Sequence, residues 1–290
     1  MKPKMIIDGH AHVFSPQVIA RGAAQKDLVG RLCLEAALAP GRTDLASLRR
    51  ETSAADVAAC LLLPTAPAEQ VAKTNDTFIE MAAEADFLYT GGTLHPSFNA
   101  NREELGRLHS LGIRMIKLCS FSQRFSLAAP ETAALFELIT EIGHAVAQPF
   151  FVILDTFYEA HRYFGTPSQY TTTPSLLADI AGRCPELTIV AAHMGGLAAP
   201  PAEIVRFLQP AENLYLDTSV AAHTLAEADF LRLLELHGPD HIIFGTDWPW
   251  FGHRRELEFI DRLLSRAGCS NEEKERIFGG NISNLLGIGI

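Results

Sequence analysis

Eight short apolar runs recur along this chain of 290 residues, and most are followed by a polar turn and a stretch with helical periodicity. Apolar residues stand at consecutive positions within each run, which is typical of a strand covered on both faces. Strands that alternate with helices pair in parallel through right-handed crossovers. Eight such units in about 250 residues favour a closed (β/α)8 barrel of the α/β class. The runs are residues 5–7, 57–63, 87–94, 113–118, 150–154, 187–192, 213–216 and 242–244.

The competing architecture is an open, doubly wound sheet. That fold would place a glycine-rich phosphate turn after an early strand, and no Gly-x-Gly-x-x-Gly occurs. No repeat or biased segment marks a linker, so residues 1–290 are expected to form a single domain. The long stretch 15–50 predicts an inserted helix or flap after the first strand, and residues 271–286 predict a C-terminal helix on the outside of the barrel. Other helices are predicted over 75–85, 131–147, 224–236 and 256–267, with Thr74 or Asn75, Thr173 and Asn271 as N-terminal caps.

Charge and composition argue against several classes of function. The chain has 34 acidic and 24 basic side chains, a net charge of −10, which disfavours binding to nucleic-acid phosphates or to an anionic membrane surface. No apolar run approaches the roughly 18 residues of a membrane span. The five cysteines are odd in number and form no Cys-x-x-Cys pair, which disfavours a disulfide framework or a structural zinc site. The apolar stretch at the N-terminus is too short for a signal peptide, so a reduced, cytoplasmic protein is expected.

Imidazoles and carboxylates follow the predicted strands, at the end of the barrel where such folds carry their chemistry. His10 and His12 are two residues apart on a strand and point to one face. Two neutral imidazoles so placed can bind one divalent metal, and a chance His-x-His among 11 histidines is the alternative. Asp247, after the eighth run, could add an oxygen ligand or accept a proton from water. His193, before two glycines, is predicted to be a ligand or an acid–base group rather than a core histidine.

Several further residues are candidates for the site. Asp155 ends the fifth run and is expected to face the site, with a turn or cap role as the alternative. Lys117 lies inside the fourth run, where a lysine needs a partner or a function. It could pair with a rim aspartate, contact a substrate carboxylate or carry a carboxylated amine between two metals, and the first two roles are favoured. Arg124 and His253 are candidates for binding an anionic substrate. His95 is a further candidate for substrate binding, and Trp248 and Trp250 are predicted to line the pocket.

Four segments, taken together, resemble the amidohydrolase superfamily over nearly the whole chain. The resemblance is greatest to the amidohydrolase-related branch that includes aminocarboxymuconate-semialdehyde decarboxylase, γ-resorcylate decarboxylase and pyrone-dicarboxylate lactonase. The segments are Ile-Ile-Asp-Gly-His-Ala-His at 6–12, Val-Ala-Ala-His-Met-Gly-Gly at 190–196, Ile-Phe-Gly-Thr-Asp-Trp-Pro at 243–249 and Gly-Asn-Ile-Ser-Asn-Leu-Leu-Gly at 280–287.

The resemblance implies a (β/α)8 barrel with one divalent metal, zinc before manganese or magnesium. It implies that His10 and His12 are ligands, that Asp247 is a ligand or proton acceptor, and that His193 acts beside the metal. The family usually has a metal-binding histidine where this chain has Asp155. Asp155 as a ligand would favour the harder Mn²⁺ or Mg²⁺. The lactonase-like branch works without metal, so a metal-free mechanism is the alternative.

The leading hypothesis is a hydrolase that uses a metal-activated or Asp247-activated water on a small carboxylated lactone, ester or amide. The first alternative is a metal-dependent, non-oxidative decarboxylase of an unsaturated or aromatic acid. The second is an inactive barrel that only binds a ligand. All three take a small molecule, expected to be anionic, as the partner, and a homodimer is compatible with the resemblance.

Overall fold

The computed structural model describes residues 5–35, 43–145 and 149–288. Over these residues strands and helices alternate in the predicted order, and every paired strand runs parallel to its neighbour. The strands are β1 (Ile7–Ala11), β2 (Ala59–Leu62), β3 (Leu88–Thr90), β4 (Gly92–Thr93), β5 (Met115–Leu118), β6 (Phe151–Leu154), β7 (Thr188–Ala191), β8 (Leu214–Asp217) and β9 (Ile242–Ile243).

The strands form a ring with two joints. Hydrogen bonds connect β1-β2-β3 and, separately, β4 through β9. At the first joint β3 continues directly into β4 through Gly91, whose N–H donates to the carbonyl of Leu62 at 3.0 Å. At the second joint the chain after β9 returns to β1, where the N–H of Gly9 donates to the carbonyl of Phe244 at 2.9 Å. The predicted (β/α)8 barrel is confirmed, with the third predicted strand, 87–94, present as two short strands.

The apolar runs have no alternation because both faces of each strand are covered. All four residues of β6 are buried. Val152 and Leu154 pack into the core between strands and helices. Phe151 and Ile153 pack into a second core inside the barrel. Alternate residues of one strand therefore enter two different cores, and each position selects an apolar side chain.

Helices cover the outside of this ring and both of its ends. Among the described residues no helix is long and apolar enough to cross a membrane. Thr173 caps α9 as predicted, its hydroxyl accepting from the N–H of Leu176. The helices are α1 (Pro16–Ala24), α2 (Lys26–Leu32), α3 (Leu45–Ala55), α4 (Val71–Ala83), α5 (Asn101–Ser110), α6 (Ser120–Gln123), α7 (Pro130–His144), α8 (Ala160–Phe164), α9 (Pro174–Arg183), α10 (Pro201–Phe207), α11 (Ala221–Thr224), α12 (Glu227–His237), α13 (His253–Arg266), α14 (Asn271–Glu275) and α15 (Asn281–Leu286).

Two predicted helix caps are wrong. The fourth helix begins at Val71, and Asn75 lies on its buried side, where the side-chain amide donates to the carbonyl of Thr93 at 3.0 Å. Asn75 therefore fixes the helix to a strand rather than capping it. The cap of α14 is Ser270 rather than Asn271, and it forms a capping box. Polar residues near a helix start could not be ranked by sequence because burial decides between these roles.

The long connection after β1 forms a cover over the carboxyl ends of the strands. Its first helix, α1, follows Ser15, whose hydroxyl accepts from the N–H of Val18 at 3.4 Å. Side chains of both α1 and α2 line the cavity above the strands. The predicted insertion is confirmed in its described part, and residues 36–42 of it lie outside the described residues.

The C-terminal segment closes the opposite end of the barrel. It runs through α14, a π-helical turn (Arg276–Gly280) and α15. The amide of Asn281 donates to the carbonyls of Pro239 at 2.8 Å and Ile242 at 2.7 Å. Ile282 packs into the inner core. The predicted terminal helix is present, but it lies beneath the amino-terminal ends of β1 and β9 rather than on the outer face.

A buried histidine remote from the strand ends makes stability depend on pH. Burial, with the nearby His241, lowers the pKa of His237 from 6.5 to about 4. As the pH falls below 6.5, the unfolded chain binds a proton that the folded chain does not, so stability is lost toward pH 4. We expect His237→Gln to reduce the difference in unfolding free energy between pH 7 and pH 4 by up to about 3 kcal/mol. Urea unfolding at both pH values measures this difference, and an unchanged pH dependence in the variant would contradict the prediction.

Candidate active site

Three of the predicted site residues meet at the carboxyl ends of β1 and β9. His10 lies near the end of β1 and His12 just beyond it, so their rings share a face. Their Nε2 atoms are 3.2 Å apart. Oδ1 of Asp247 lies 3.3 Å from Nε2 of His12 and 3.7 Å from Nε2 of His10. These three donor groups, called here the donor triad, all lie within 4.8 Å of one another.

The other ring nitrogens orient the two imidazoles. Nδ1 of His10 lies 2.8 Å from Oδ2 of Asp217, and Nδ1 of His12 lies 3.1 Å from the carbonyl of Leu63. Both partners are acceptors, so each Nδ1 carries the proton and each Nε2 presents a lone pair to the other. Two lone pairs at this distance repel unless a cation lies between them. Two imidazole nitrogens with one carboxylate oxygen fit a divalent metal that keeps open positions for a substrate.

The protonation states of the buried groups agree with this fit. Burial lowers the pKa of His10 to about 4, the Lys117 ammonium adds to this effect, and the Asp217 carboxylate opposes it. His10 is therefore neutral near pH 7, which is the form that binds metals. Burial alone would raise the pKa of Asp217, but contacts with His10, His193 and Ser219 hold it well below its usual range. Asp217 stays ionised and keeps its hold on His10.

The backbone around Asp247 ties the carboxylate to the histidine strand. Asp247 has a left-handed φ of 63°, a conformation that needs support in residues other than glycine. Its N–H donates to the carbonyl of His10 at 2.8 Å, and the N–H of His12 donates to the carbonyl of Trp248 at 2.7 Å. The N–H of Trp250 donates to the carbonyl of Asp247 at 2.9 Å. The position of the carboxylate thus depends on pairing between the first strand and the segment after the last.

Asp8 binds both of these segments and is fully buried. Its Oδ1 accepts from the N–H of His10 and the N–H of Thr246, both at 3.0 Å. Its Oδ2 accepts from the hydroxyl of Thr246 at 2.6 Å and from Nε2 of the fully buried His253 at 3.0 Å. We call this network the Asp8 clamp. It fixes the spacing between the strand that carries the histidines and the loop that carries Asp247.

The spacing of Asp8, Cys60 and His253 would also suit a metal ion. However, burial and the Asp8 charge raise the pKa of the Cys60 thiol well above its usual value, so the sulfur is protonated. Sγ of Cys60 lies 3.7 Å from Nε2 of His253, and the Asp8 oxygens are occupied by the clamp. This group is a hydrogen-bond network rather than a metal centre.

Asp155, predicted to be a metal ligand, is not part of the donor triad. Its Oδ1 accepts from the N–H of Phe157 at 3.0 Å. Its Oδ2 lies 3.5 Å from Nε2 of His193 and 3.9 Å from Nζ of Lys117. The carboxylate therefore faces the site as the neighbour of two cationic groups. Burial alone would raise its pKa, but His193 and Lys117 hold the pKa well below its usual range.

His193 lies beside the donor triad with acceptors at both ring nitrogens. Nδ1 lies 2.7 Å from the hydroxyl oxygen of Ser219 and 3.2 Å from its carbonyl, while that hydroxyl donates to Asp217. Nε2 faces Asp155. Burial by itself lowers the pKa of His193, but Asp155 and the other carboxylates outweigh burial and raise it. The imidazolium form is therefore favoured, 5.0 Å from His10 between ring centroids.

A cavity of about 690 Å³ opens above these groups. Two exposed arginines, Arg21 and Arg124, also line it. Arg124 and Lys117, both predicted for substrate binding, therefore face the cavity. Its polar side is formed by His12, Lys117, Asp155, His193 and Asp247, and its aromatic walls by Phe14, Phe121, Phe157, Tyr163, Phe164 and Trp250.

Three residues predicted to bind substrate or line the pocket lie elsewhere, and one of them is His253, which belongs to the Asp8 clamp. The ring nitrogens of His95 are occupied by the carbonyl of Gln123 at 2.9 Å and the N–H of Ser97 at 3.0 Å, and His95 does not line the cavity. Of the two tryptophans predicted to line the pocket, Trp248 is fully buried in the core and Trp250 faces the cavity. A shift of two residues in the turn after β9 decides which indole is exposed to a ligand.

Comparison with known families identifies the chain. Residues 7–288 match the sequence profile of the amidohydrolase family. The chain belongs to that family. The match spans both ends of the barrel, including all three members of the donor triad. No curated protein sequence matches this amidohydrolase.

Solved structures with this fold align along almost all of this amidohydrolase. An uncharacterized TIM-barrel protein from Bordetella bronchiseptica has a TM-score of 0.72 and 21% identity, with 98% of each chain covered. A 5-carboxyvanillate decarboxylase from Sphingomonas paucimobilis has a TM-score of 0.69 and 18% identity, with 98% of this chain and 99% of that chain covered. A dihydroxybenzoic acid decarboxylase from Polaromonas, with bound manganese and 2-nitroresorcinol, has a TM-score of 0.68 and 19% identity, with 98% and 97% covered.

Proposed function

We propose that this protein is a metal-dependent, non-oxidative decarboxylase of a small aromatic or unsaturated carboxylic acid. The observation that carries the proposal is the position of His193, held between Asp155 and Ser219 beside the donor triad at one aromatic-walled cavity. Decarboxylation requires a cation to hold the acid and a proton donor for the carbon that loses CO₂. The carboxylate of Asp155 beside Nε2 of His193 favours a ring that holds a proton for donation, which suits the first reaction.

The similar structures support the same class of substrate. Two of them are decarboxylases of substituted benzoic acids, and one of these contains manganese. Six aromatic side chains line the cavity of this protein, which suits a flat, unsaturated substrate because aromatic rings stack favourably. We therefore place the alternative of decarboxylation ahead of the hydrolase hypothesis drawn from sequence.

His10, His12 and Asp247 would hold the metal, and Asp155 would not. When bound, a divalent ion would neutralise charge on the substrate oxygens and withdraw electron density from them. Asp217 and the carbonyl of Leu63 accept from Nδ1 of the two imidazoles and so turn each Nε2 toward the metal position. The aromatic walls exclude water from the reacting carbon.

His193 would supply the proton. As the bond between carbon and the carboxyl group breaks, its electron pair stays on the carbon and the carboxylate leaves as CO₂. The carbon then takes the proton from Nε2 of His193, which becomes neutral. Asp155 stabilises the imidazolium before transfer, and Ser219 fixes the ring through Nδ1.

We expect His193→Gln to lower the decarboxylation rate by about 10²- to 10⁴-fold, the usual contribution of a positioned acid, with unchanged metal content. The assay is CO₂ release from hydroxybenzoic and benzenedicarboxylic acids by protein loaded with Zn²⁺ or Mn²⁺, and in D₂O the product carbon should carry deuterium. His144→Gln, at an exposed site at the end of α7, is the matched control. A full rate in His193→Gln, or no CO₂ from the wild type across the panel, would contradict the proposal.

Hydrolysis of a small carboxylated lactone, ester or amide is the second candidate, and the position of Asp247 favours it. That carboxylate lines the cavity beside His12, where it can take a proton from water. Incorporation of ¹⁸O from water into an acid product, without CO₂ release, would select hydrolysis. Full hydrolytic activity in Asp247→Asn would contradict it.

A further inference from the structure

Lys117 is a buried lysine whose ammonium group has no hydrogen-bond partner among the described residues. It lies on β5, lines the cavity and is 1% exposed. Within the part of the chain that the structure describes, Nζ has no hydrogen-bond partner. Lysine is almost never fully buried unless it is paired, because burial of an uncompensated charge is costly. Because Lys117 lines the cavity, a molecule bound there can supply the hydrogen-bond partner that Nζ lacks.

Asp155 does not fill this role. Its nearer oxygen lies 3.9 Å from Nζ, beyond the range of a hydrogen bond. The same oxygen faces His193, and the other oxygen accepts from the N–H of Phe157. Asp155 therefore balances part of the charge of Lys117 but leaves its N–H donors unused. A small anion in the cavity could accept from them.

Lys117 lies close to the donor triad. Lys117 neighbours Asp155, Asp155 lies 3.5 Å from His193, and the rings of His193 and His10 are 5.0 Å apart. Lys117 and two members of the donor triad, His12 and Asp247, line the same cavity. A molecule of the size of a substituted benzene ring can therefore contact both Lys117 and the donor triad.

We propose that Lys117 forms an anion subsite for a second carboxylate, so that the substrate is a small dicarboxylic acid. The inference rests on the proposed function, in which the other carboxyl group of the substrate lies at the donor triad. The carboxylate on Lys117 is the one retained. An ammonium that stabilises a carboxylate before the reaction opposes the loss of that charge as CO₂.

Binding of matched probes tests the subsite without turnover. Calorimetry with zinc-loaded protein compares phthalate, isophthalate and terephthalate with the monomethyl ester of each, which has the same ring and substitution pattern, one added methyl group and one charge fewer. We expect at least one diacid to bind about tenfold or more tightly than its ester, the usual gain from a charged hydrogen bond. Lys117→Met should abolish this preference, and Lys73→Met, at an exposed position on α4, should keep it.

Two results would overturn the subsite. One is equal affinity for every diacid and its ester in the wild type, a comparison that stands even if Lys117→Met does not fold. The other is a carbamate on Lys117, detected by ¹³C NMR in bicarbonate, because the amine would then be neither free nor cationic. A preference for a diacid with no CO₂ release would retain the subsite and reject the reaction, whereas CO₂ release without the preference would do the reverse.

Discussion

His12→Ala is expected to lose the metal and at least about 10³-fold of activity, since a metal supplies several kcal/mol of charge stabilisation in such sites. His12 is one of only two imidazoles in the donor triad, and its Nε2 lies 3.2 Å from that of His10. Elemental analysis of protein purified without a metal-affinity tag should find about one equivalent in the wild type and little in the variant.

The control for this prediction is His144→Ala, which removes an imidazole that is half-exposed and paired with Glu186. It should retain both the metal and the activity. Asp155→Ala is a second comparison, because Asp155 lies outside the donor triad, and it should also retain the metal. Loss of metal in Asp155→Ala but not in His12→Ala would show that the donors are assigned wrongly.

Asp8→Ala is expected to destabilise the fold by roughly 3–5 kcal/mol, because it removes the acceptor of several buried donors and each unsatisfied donor costs about 1–3 kcal/mol. Removing the carboxylate leaves His253 and Thr246 without their shared acceptor. It also frees the loop of Asp247 from β1, and we expect metal affinity to fall about 10- to 100-fold. Urea unfolding and metal titration measure the two effects.

Asp44→Ala is the matched control for Asp8→Ala. Asp44 caps α3, its side chain accepting from the N–H of Ser47 at 2.8 Å. Losing this cap should cost about 1 kcal/mol and leave metal affinity unchanged. If the two variants were equally stable and bound metal equally well, the Asp8 clamp would have no role in the site.

The fold could be predicted from sequence because strands that are buried on both faces consist of consecutive apolar residues. The eight runs located the barrel, and the ends of these runs located the polar groups. The break of the third strand at Gly91 could not be predicted, since a single glycine in an apolar run has several possible meanings. The start of α4 was predicted wrongly because asparagine is a common helix cap, whereas Asn75 is buried inside the helix.

Sequence could predict the site residues that lie at strand ends, but not the contacts between distant segments. His10, His12 and Asp247 follow strands and do meet. Asp217 also follows a strand, but its role as partner of His10 depends on a contact across 207 positions, which no local pattern encodes. The placement of Trp250 rather than Trp248 at the cavity likewise depends on how one turn closes.

The donor triad comes from the two extremes of the strand order. Asp8 and Thr246, which join these extremes, are 238 positions apart. A chain still being synthesised, or a fragment lacking either end, therefore has no complete set of ligands. An ion that binds only the complete fold stabilises only that state. The rate of metal binding during refolding would therefore report when β1 pairs with the segment after β9.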